Sequence, residues 1–425
     1  MSQLSHRSQA ARTAIAIAIA LPCSMSLARA EVRVVGSGGQ YTTIQAAINA
    51  AVDGDTILAR LGTYSSFVID NKALAVVNDA PNSMSSLTGQ ITVRNVALGK
   101  TVILSGFSCT GVGTSALQMN SNAGFVRITR CTFRGANGNG NPTSCMPGSH
   151  DSGWEGAILQ SNGGGVAFAA CVFEGGRGIA HPYLCYETPG GHGGHGLHST
   201  GSRVAVYDCS FLGGLGADGG LHGGNGGSGA YCVGGLGLMA SNSNFAGQHG
   251  GDGLDFTVIG GSGGHGVFVG SGAAVQLIDC TGQLGLGGEY AAPDGVPFAG
   301  SPYYTYSASR IEMQVPSVAR EGTNLPLTIR AQPGDEVFLS SSRETVFDVM
   351  PSWSGVLLAN QVTSPRIMIL GSVPPSGILN VTLSIPDQGP GFSASTRFLQ
   401  VLRRSSTGQV TLGSFATVTV LDSVY

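Results

Sequence analysis

The chain has 425 residues, of which 68 are glycine, 42% are hydrophobic, 11% are charged and 7% are aromatic. So high an apolar fraction with so little charge is not the composition of a disordered chain, and without a triplet period to its glycines the chain is not collagen. A net charge of -3, with 21 Lys and Arg thinly spread, leaves no basic face for nucleic acid or an anionic membrane.

Residues 1–30 read as a secretory signal. His6, Arg7 and Arg12 make a basic start, Ala14 to Leu21 is a short apolar run, and Ala28-Arg29-Ala30 supplies small residues for cleavage after Ala30. No later stretch reaches about 18 uninterrupted apolar residues, so no transmembrane segment is expected. The chain reads as secreted, to the periplasm, the cell surface or beyond. Cleavage removes Cys23 and leaves eight cysteines where disulfides persist.

Glycine is uneven: 51 of the 68 lie between residues 111 and 300. The break near residue 300 divides the exported chain into 31–305 and 311–425. The first piece opens with a helix, in which Thr42 and Gln45 have capping-box spacing and Ile44, Ala47, Ile48 and Ala51 fall on one face. Asp53-Gly54 stops it, and a strand follows at 56–60. The string YTTIQAAINAAVDGDTILARLGTY (41–64) resembles the start of right-handed parallel β-helices of the pectin-lyase-like superfamily, where such a helix caps the open first coil. The resemblance implies that fold and selects no activity, since the superfamily holds lyases, hydrolases, esterases and non-enzymatic proteins.

The middle of the chain repeats independently. Aligning 125–133, 166–173, 204–211, 238–245 and 275–282 puts Cys131, Cys171, Cys209, Ser243 and Cys280 in one column, with Phe133, Phe173, Phe211, Phe245 and then Gly282 two positions later. Inward ladders on stacked parallel strands have this pattern. The spacing exceeds what one coil needs, so each repeat carries an extra loop, and the glycines sit in those loops, as in GGHGGHG (190–196). Glycine's freedom of φ and close backbone approach predict compact loops piled into one surface.

The column cysteines are expected as buried free thiols. Cys145 and Cys185 each follow a column cysteine by 14 residues, and that equal offset predicts a loop-to-loop disulfide. Cys109 and Cys232 have no such match.

All eight histidines after the signal lie between His150 and His265. His192 and His195, with Asp252 and Asp255, are the candidate catalytic groups, imidazole being an acid or base near neutral pH. Gly194-His195-Gly196 also resembles the G-H-G motif of polygalacturonase-type glycoside hydrolases, but their adjacent Asp-Asp pair occurs nowhere in this chain. Asp208 and Asp279 lie two coils apart, about 9.6 Å by strand spacing, and their column (Arg130, Ala170, Asp208, Asn242, Asp279) stands where the chain must bend, which favours a turn role. Only two lysines, Lys72 and Lys100, are present to serve a lyase. Residues 250–255 match the first six positions of the calcium-binding nonapeptide, making calcium the one cofactor candidate. Trp154, Tyr183, Tyr186, Arg203 and Tyr231 are the candidate sugar-binding residues.

After residue 311, short alternating runs at 325–331, 355–361, 366–372, 379–385, 397–403 and 415–421 predict an antiparallel β-sandwich, a covering or attachment module. The expected architecture is therefore all-β, a right-handed parallel β-helix with an N-terminal capping helix and a C-terminal antiparallel sandwich. The expected function is binding to, or action on, an extracellular polysaccharide through the Gly/His-rich side. As an enzyme the chain would be a polysaccharide lyase or glycoside hydrolase; the alternative is a non-catalytic envelope structural or adhesive protein.

Overall fold

The computed structural model describes residues 30–80, 83–139, 151–180, 188–235, 237–253, 258–290, 292–306, 310–360 and 366–425. Residues 1–29, within the stretch expected as a signal, and the expected Cys145 and Cys185 disulfide lie outside the described residues. Residues 30–306 build a nearly closed parallel solenoid, compatible with a β-helix, from two walls.

The first wall stacks ten parallel strands in chain order, from Val32–Val35 to Tyr303–Tyr306. The second begins with two long strands, Thr63–Asp70 and Ser85–Arg94. Above Ser85–Arg94 the wall splits, because its halves pair separately with Phe107–Thr110 and Leu117–Asn120. Every later coil keeps the split, as Thr132–Arg134 with Ala157–Gln160 and onward to Thr281–Gln283 with Phe298–Gly300. The glycine-rich loops are inserted at this split.

The repeat alignment reproduces the register. Val126, Val166, Val204, Leu238 and Val275 are consecutive partners, and Phe133, Phe173, Phe211 and Phe245 stack at 5.4, 4.7 and 4.8 Å. Gly282 ends the series because the Phe298 ring fills the place, 2.8 Å from where its Cβ would stand. The bend column, Arg130, Ala170, Asp208, Asn242 and Asp279, takes left-handed φ of 49° to 53° throughout. Side-chain amides or carboxylates suit that conformation, and three of the five supply one. Opposite it runs a buried ladder the sequence reading passed over: Asn122 Nδ2 donates to Asn162 Oδ1 (2.6 Å), and Asn162 Nδ2 to Ser202 Oγ (3.0 Å).

The helix Ile44–Ala50 packs Ile44, Ala47 and Ile48 onto the first coil. Its cap is one residue later than expected: Thr43 Oγ1 accepts from the Ala46 amide, while Gln45 reaches across to the Val68 amide. Cys109, Cys131, Cys171, Cys209, Cys232 and Cys280 are free thiols. Burial pushes Cys131 up to about 12 and Cys280 up to about 11, so neither is a ready nucleophile.

Residues 311–421 form a three-stranded antiparallel sheet and a five-stranded sheet that share a core of Leu325, Leu327, Val337, Leu339, Val401 and Val418. The antiparallel sandwich expected from the sequence is seen in part. One edge pair of the larger sheet, Val318–Arg320 with Val410–Leu421, is parallel, and the hairpin Thr345–Met350 with Gly355–Ala359 forms a separate two-stranded sheet. This region covers the first wall: Val318, Ala359, Phe398 and Leu421 join Val34, Leu58 and Val77, and Phe347, Val356 and Phe415 join Ala167, Ala205 and Tyr207. The loops thus leave from the wall that the C-terminal region does not cover.

Candidate recognition surface

Each loop consists of an outgoing leg (135–139, 175–180, 213–219, 247–253, 284–290) and a return leg (151–156, 188–196, 222–229, 258–266, 292–297). Inside the legs the glycines do follow a triplet, G-G-x, which the whole-chain view concealed. The first glycine bonds within its layer: the amides of Gly190, Gly193 and Gly196 donate to the carbonyls of His222, Asn225 and Ser228 on the next return leg. The second bonds across the layers, as Gly194 donates to Gly176, Gly214 to Gly194 and Gly227 to Gly214. The result is a two-layer sandwich of extended helices with the three-residue period of polyproline II, which lack internal hydrogen bonds and must find all partners outside.

Close approach, and not a left-handed backbone, is why these positions are glycine. A Cβ on Gly214 would stand 1.8 Å from the Gly176 carbonyl oxygen, and one on Gly194 2.2 Å from that of Trp154. Trp154 itself occupies the place that Gly194 and Gly227 hold on later coils, its amide donating to the Ala136 carbonyl of the outgoing leg before it.

The third residue of each triplet faces outward, and its amide has no backbone acceptor in either layer. At many of these places a side chain from the preceding coil supplies one. On the return face Asn225 N donates to His192 Nδ1 (2.8 Å), Ser228 N to His195 Nδ1 (3.0 Å), Ser262 N to Asn225 Oδ1 (2.9 Å) and Val296 N to His265 Nδ1 (3.1 Å). On the outgoing face Arg177 N donates to Asn137 Oδ1, Asp252 N to Asp218 Oδ1, Leu286 N to His249 Nδ1 and Glu289 N to Asp252 Oδ1. Accepting at Nδ1 fixes each neutral ring with its proton on Nε2. Burial lowers His192 and His265, and lowers His195 to about 4 against an opposing pull from Glu155.

At the base of the return layer the outward column of the wall continues this face. His198, Tyr231 and Phe268 are register partners. Tyr231 stacks on Phe268 at 4.8 Å and on His195 at 4.8 Å, and His198 meets both His195 and Tyr231 edge-on. Glu155 Oε1 lies 3.7 Å from His198 Nδ1. Burial pushes Glu155 up, but the His198 contact and both imidazoles outweigh it and hold the carboxyl below its ordinary value. Because the His195, Tyr231 and Phe268 rings stack on one another, these three turn edges and not faces to solvent.

The residues singled out from sequence do not meet at one point. His192 and His195 lie on the return face and Asp252 on the outgoing face, and each already accepts a backbone amide. Asp255, Tyr183 and Tyr186 lie outside the described residues. Tyr231 is in the stripe. Arg203 is on the covered wall, where its guanidinium donates to the Phe347 carbonyl (3.1 Å) and lies over that ring. The carboxylate of Asp252 is a rung of the amide ladder, and among the described residues no group of three His, Cys, Asp or Glu is placed to hold a metal ion. Glu155 and Phe268 were passed over, and His198 was noticed only as a member of the histidine cluster; the signal was the offset to the next repeat, which puts His198, Tyr231 and Phe268 in one column.

Asp208 is half-buried beneath the C-terminal region, where Ser414 Oγ and Asn242 Nδ2 donate to its two oxygens. Burial raises it to about 6 despite those bonds. Arg127, fully buried beneath the same region, donates to Thr345 Oγ1 and to the Val126, Gly165 and Val346 carbonyls, and burial lowers it to about 9.

No protein-family model and no curated protein matches the chain. Among solved structures, a superoxide reductase (neelaredoxin) from Ignicoccus hospitalis aligns over 26% of this chain and 80% of its own at 7% identity and a TM-score of 0.16. Pseudomonas fluorescens alkylpurine DNA glycosylase AlkC, bound to DNA containing an abasic site analog, aligns over 27% of this chain and 31% of its own at 13% identity and a TM-score of 0.14. Likenesses this slight carry no argument about fold or function, and no family membership is shown.

Proposed function

We propose that the protein is an exported, non-catalytic recognition protein that binds a hydroxyl-rich polysaccharide of the cell envelope or surroundings along its return face. We read its solenoid as a right-handed β-helix of the pectin-lyase-like kind, on the strength of residues 41–64 and the coil repeat. The observation that carries the functional reading is the outward row of imidazole, phenol and carboxylate edges at coil spacing, with Tyr231 and Phe268 rings 4.8 Å apart. A rigid row of hydrogen-bonding edges suits a polymer whose hydroxyls also repeat. Edge-on presentation argues for hydrogen bonding to sugar hydroxyls over stacking on ring faces. Engagement of His192, His195 and Asp252 in structural bonds argues against catalysis by that set.

Glycan-array binding by the purified mature chain tests the reading, followed by titration with Tyr231→Ala, His198→Ala and, on the other face, Asp218→Ala. Loss of binding confined to the first two supports it. An array on which no glycan is retained, or binding unchanged in both stripe variants, removes it in favour of an envelope-structural role.

A further inference from the structure

We propose that the return layer is an acid-sensitive joint, in which protonation of His192, His195 and His265 unties successive legs and opens that layer of the sandwich. The proposal is independent of the glycan reading. Three of the outward amides of this layer, those of Asn225, Ser228 and Val296, are accepted by a neutral imidazole Nδ1. Protonation puts a hydrogen on that nitrogen, so an attractive contact becomes two opposed N–H groups. The same joint is made elsewhere in the sandwich by groups that do not titrate there: Asn137 under Arg177, Asn225 under Ser262 and Ser228 under His265. The histidines are therefore not required by geometry, and three of them concentrate a proton-dependent element in the return layer, whereas the outgoing layer has one such rung, Leu286 N on His249 Nδ1.

Charges facing the three rings come from several elements. His195 faces Glu155 on the preceding return leg, His198 on its own strand, Tyr231 on the next coil and His265 beyond it. Glu155 favours protonation, while burial and the other imidazoles oppose it and prevail. His192 is opposed by burial and by His222, and His265 by burial alone, beside Phe268. Each ring is thus held below the ordinary histidine value, about 6.5, while the layer is closed, and reaches that value once it opens. The closed layer keeps its full advantage above about pH 6.5 and loses it as pH falls toward the closed-state values. At about pH 5 the population of the open layer rises roughly tenfold or more over that at pH 7.

Hydrogen exchange of the full mature chain, expressed as protection relative to intrinsic rates, reads this directly. Between about pH 7 and pH 5, protection at Asn225, Ser228 and Val296 is expected to fall roughly tenfold or more, while Arg177 and Asp252 on the outgoing layer hold theirs. The triple replacement His192→Asn, His195→Asn and His265→Asn, which installs an acceptor the ladder already uses, is expected to keep its protection at pH 5. Unchanged protection in the wild type overturns the proposal, as does an equal loss at Arg177 and Asp252 or an equal loss in a folded Asn variant; Leu286, whose amide donates to His249 Nδ1, shares the acceptor and is not a control. Because the two layers are compared within the wild type, the proposal remains testable even where the variant fails to fold.

Discussion

Gly194 and Gly214 owe their identity to a carbonyl oxygen about one bond length beyond where a Cβ would sit, so alanine at either position forces the layers apart. Gly214→Ala is expected to cost about 1–3 kcal/mol or more, the range for overpacking, in denaturant-induced unfolding. Gly163→Ala, at an open position with no left-handed φ, is expected to stay within about 0.5 kcal/mol. Asp208 makes a different residue-scale prediction. Its folded value of about 6 lies above the 3.8 of an exposed aspartate. The folded state therefore holds the proton more tightly, and this group adds stability as pH falls from about 6 to about 4, opposite in sign to the histidines. Asp208→Asn is expected to remove that contribution, read as urea midpoints that no longer gain across this window. The inward cysteine and phenylalanine columns were legible in the sequence because a ladder needs the same residue on every coil. The triplet was not, because each leg holds only two or three triplets and its phase is lost at the strands that begin at Leu197, Ala230 and Val267.

At the scale of elements, the second wall is held by the phenylalanine ladder next to the split. Phe211 stacks on both neighbours within 4.8 Å and is fully buried, so Phe211→Ala is expected to cost about 3–5 kcal/mol in equilibrium unfolding. The legs beside it bury little apolar side chain and rely on backbone hydrogen bonds, which places their order downstream of the wall's. The strands after residue 311 were largely visible as alternating runs, whereas Glu336–Ser342 and Thr345–Met350 were passed over. Both carry polar residues such as Ser340, Ser342 and Thr345 that are buried by partners distant in sequence. The role of His192 and His195 was hidden for the same reason: an imidazole that accepts an amide 33 residues away looks, in sequence, like one free for chemistry.

For the whole molecule, the C-terminal region is a cover for the first wall, and the wall depends on it. Val34, Leu58, Val77, Ala167, Ala205 and Tyr207 would meet water without it, and Arg127 would lose two of its acceptors, Thr345 and Val346. Residues 30–306 expressed alone are expected to bind a hydrophobic dye and unfold at lower denaturant than the same residues in the full chain. Composition alone placed a break near residue 300, where glycine thins out, and said nothing of which wall the C-terminal region covers. The glycine-rich side is left free, stiffened by its amide ladder and presenting side-chain edges in rows. The central claim is that the loop histidines are neutral acceptors within that ladder. Long-range proton–nitrogen correlation spectra of residues 31–425 with ¹⁵N-labelled histidine, at neutral pH, test it most directly. The account predicts that His192, His195 and His265 are Nε2–H tautomers with an unprotonated, hydrogen-bonded Nδ1; an Nδ1–H tautomer or an imidazolium at these three positions would contradict it.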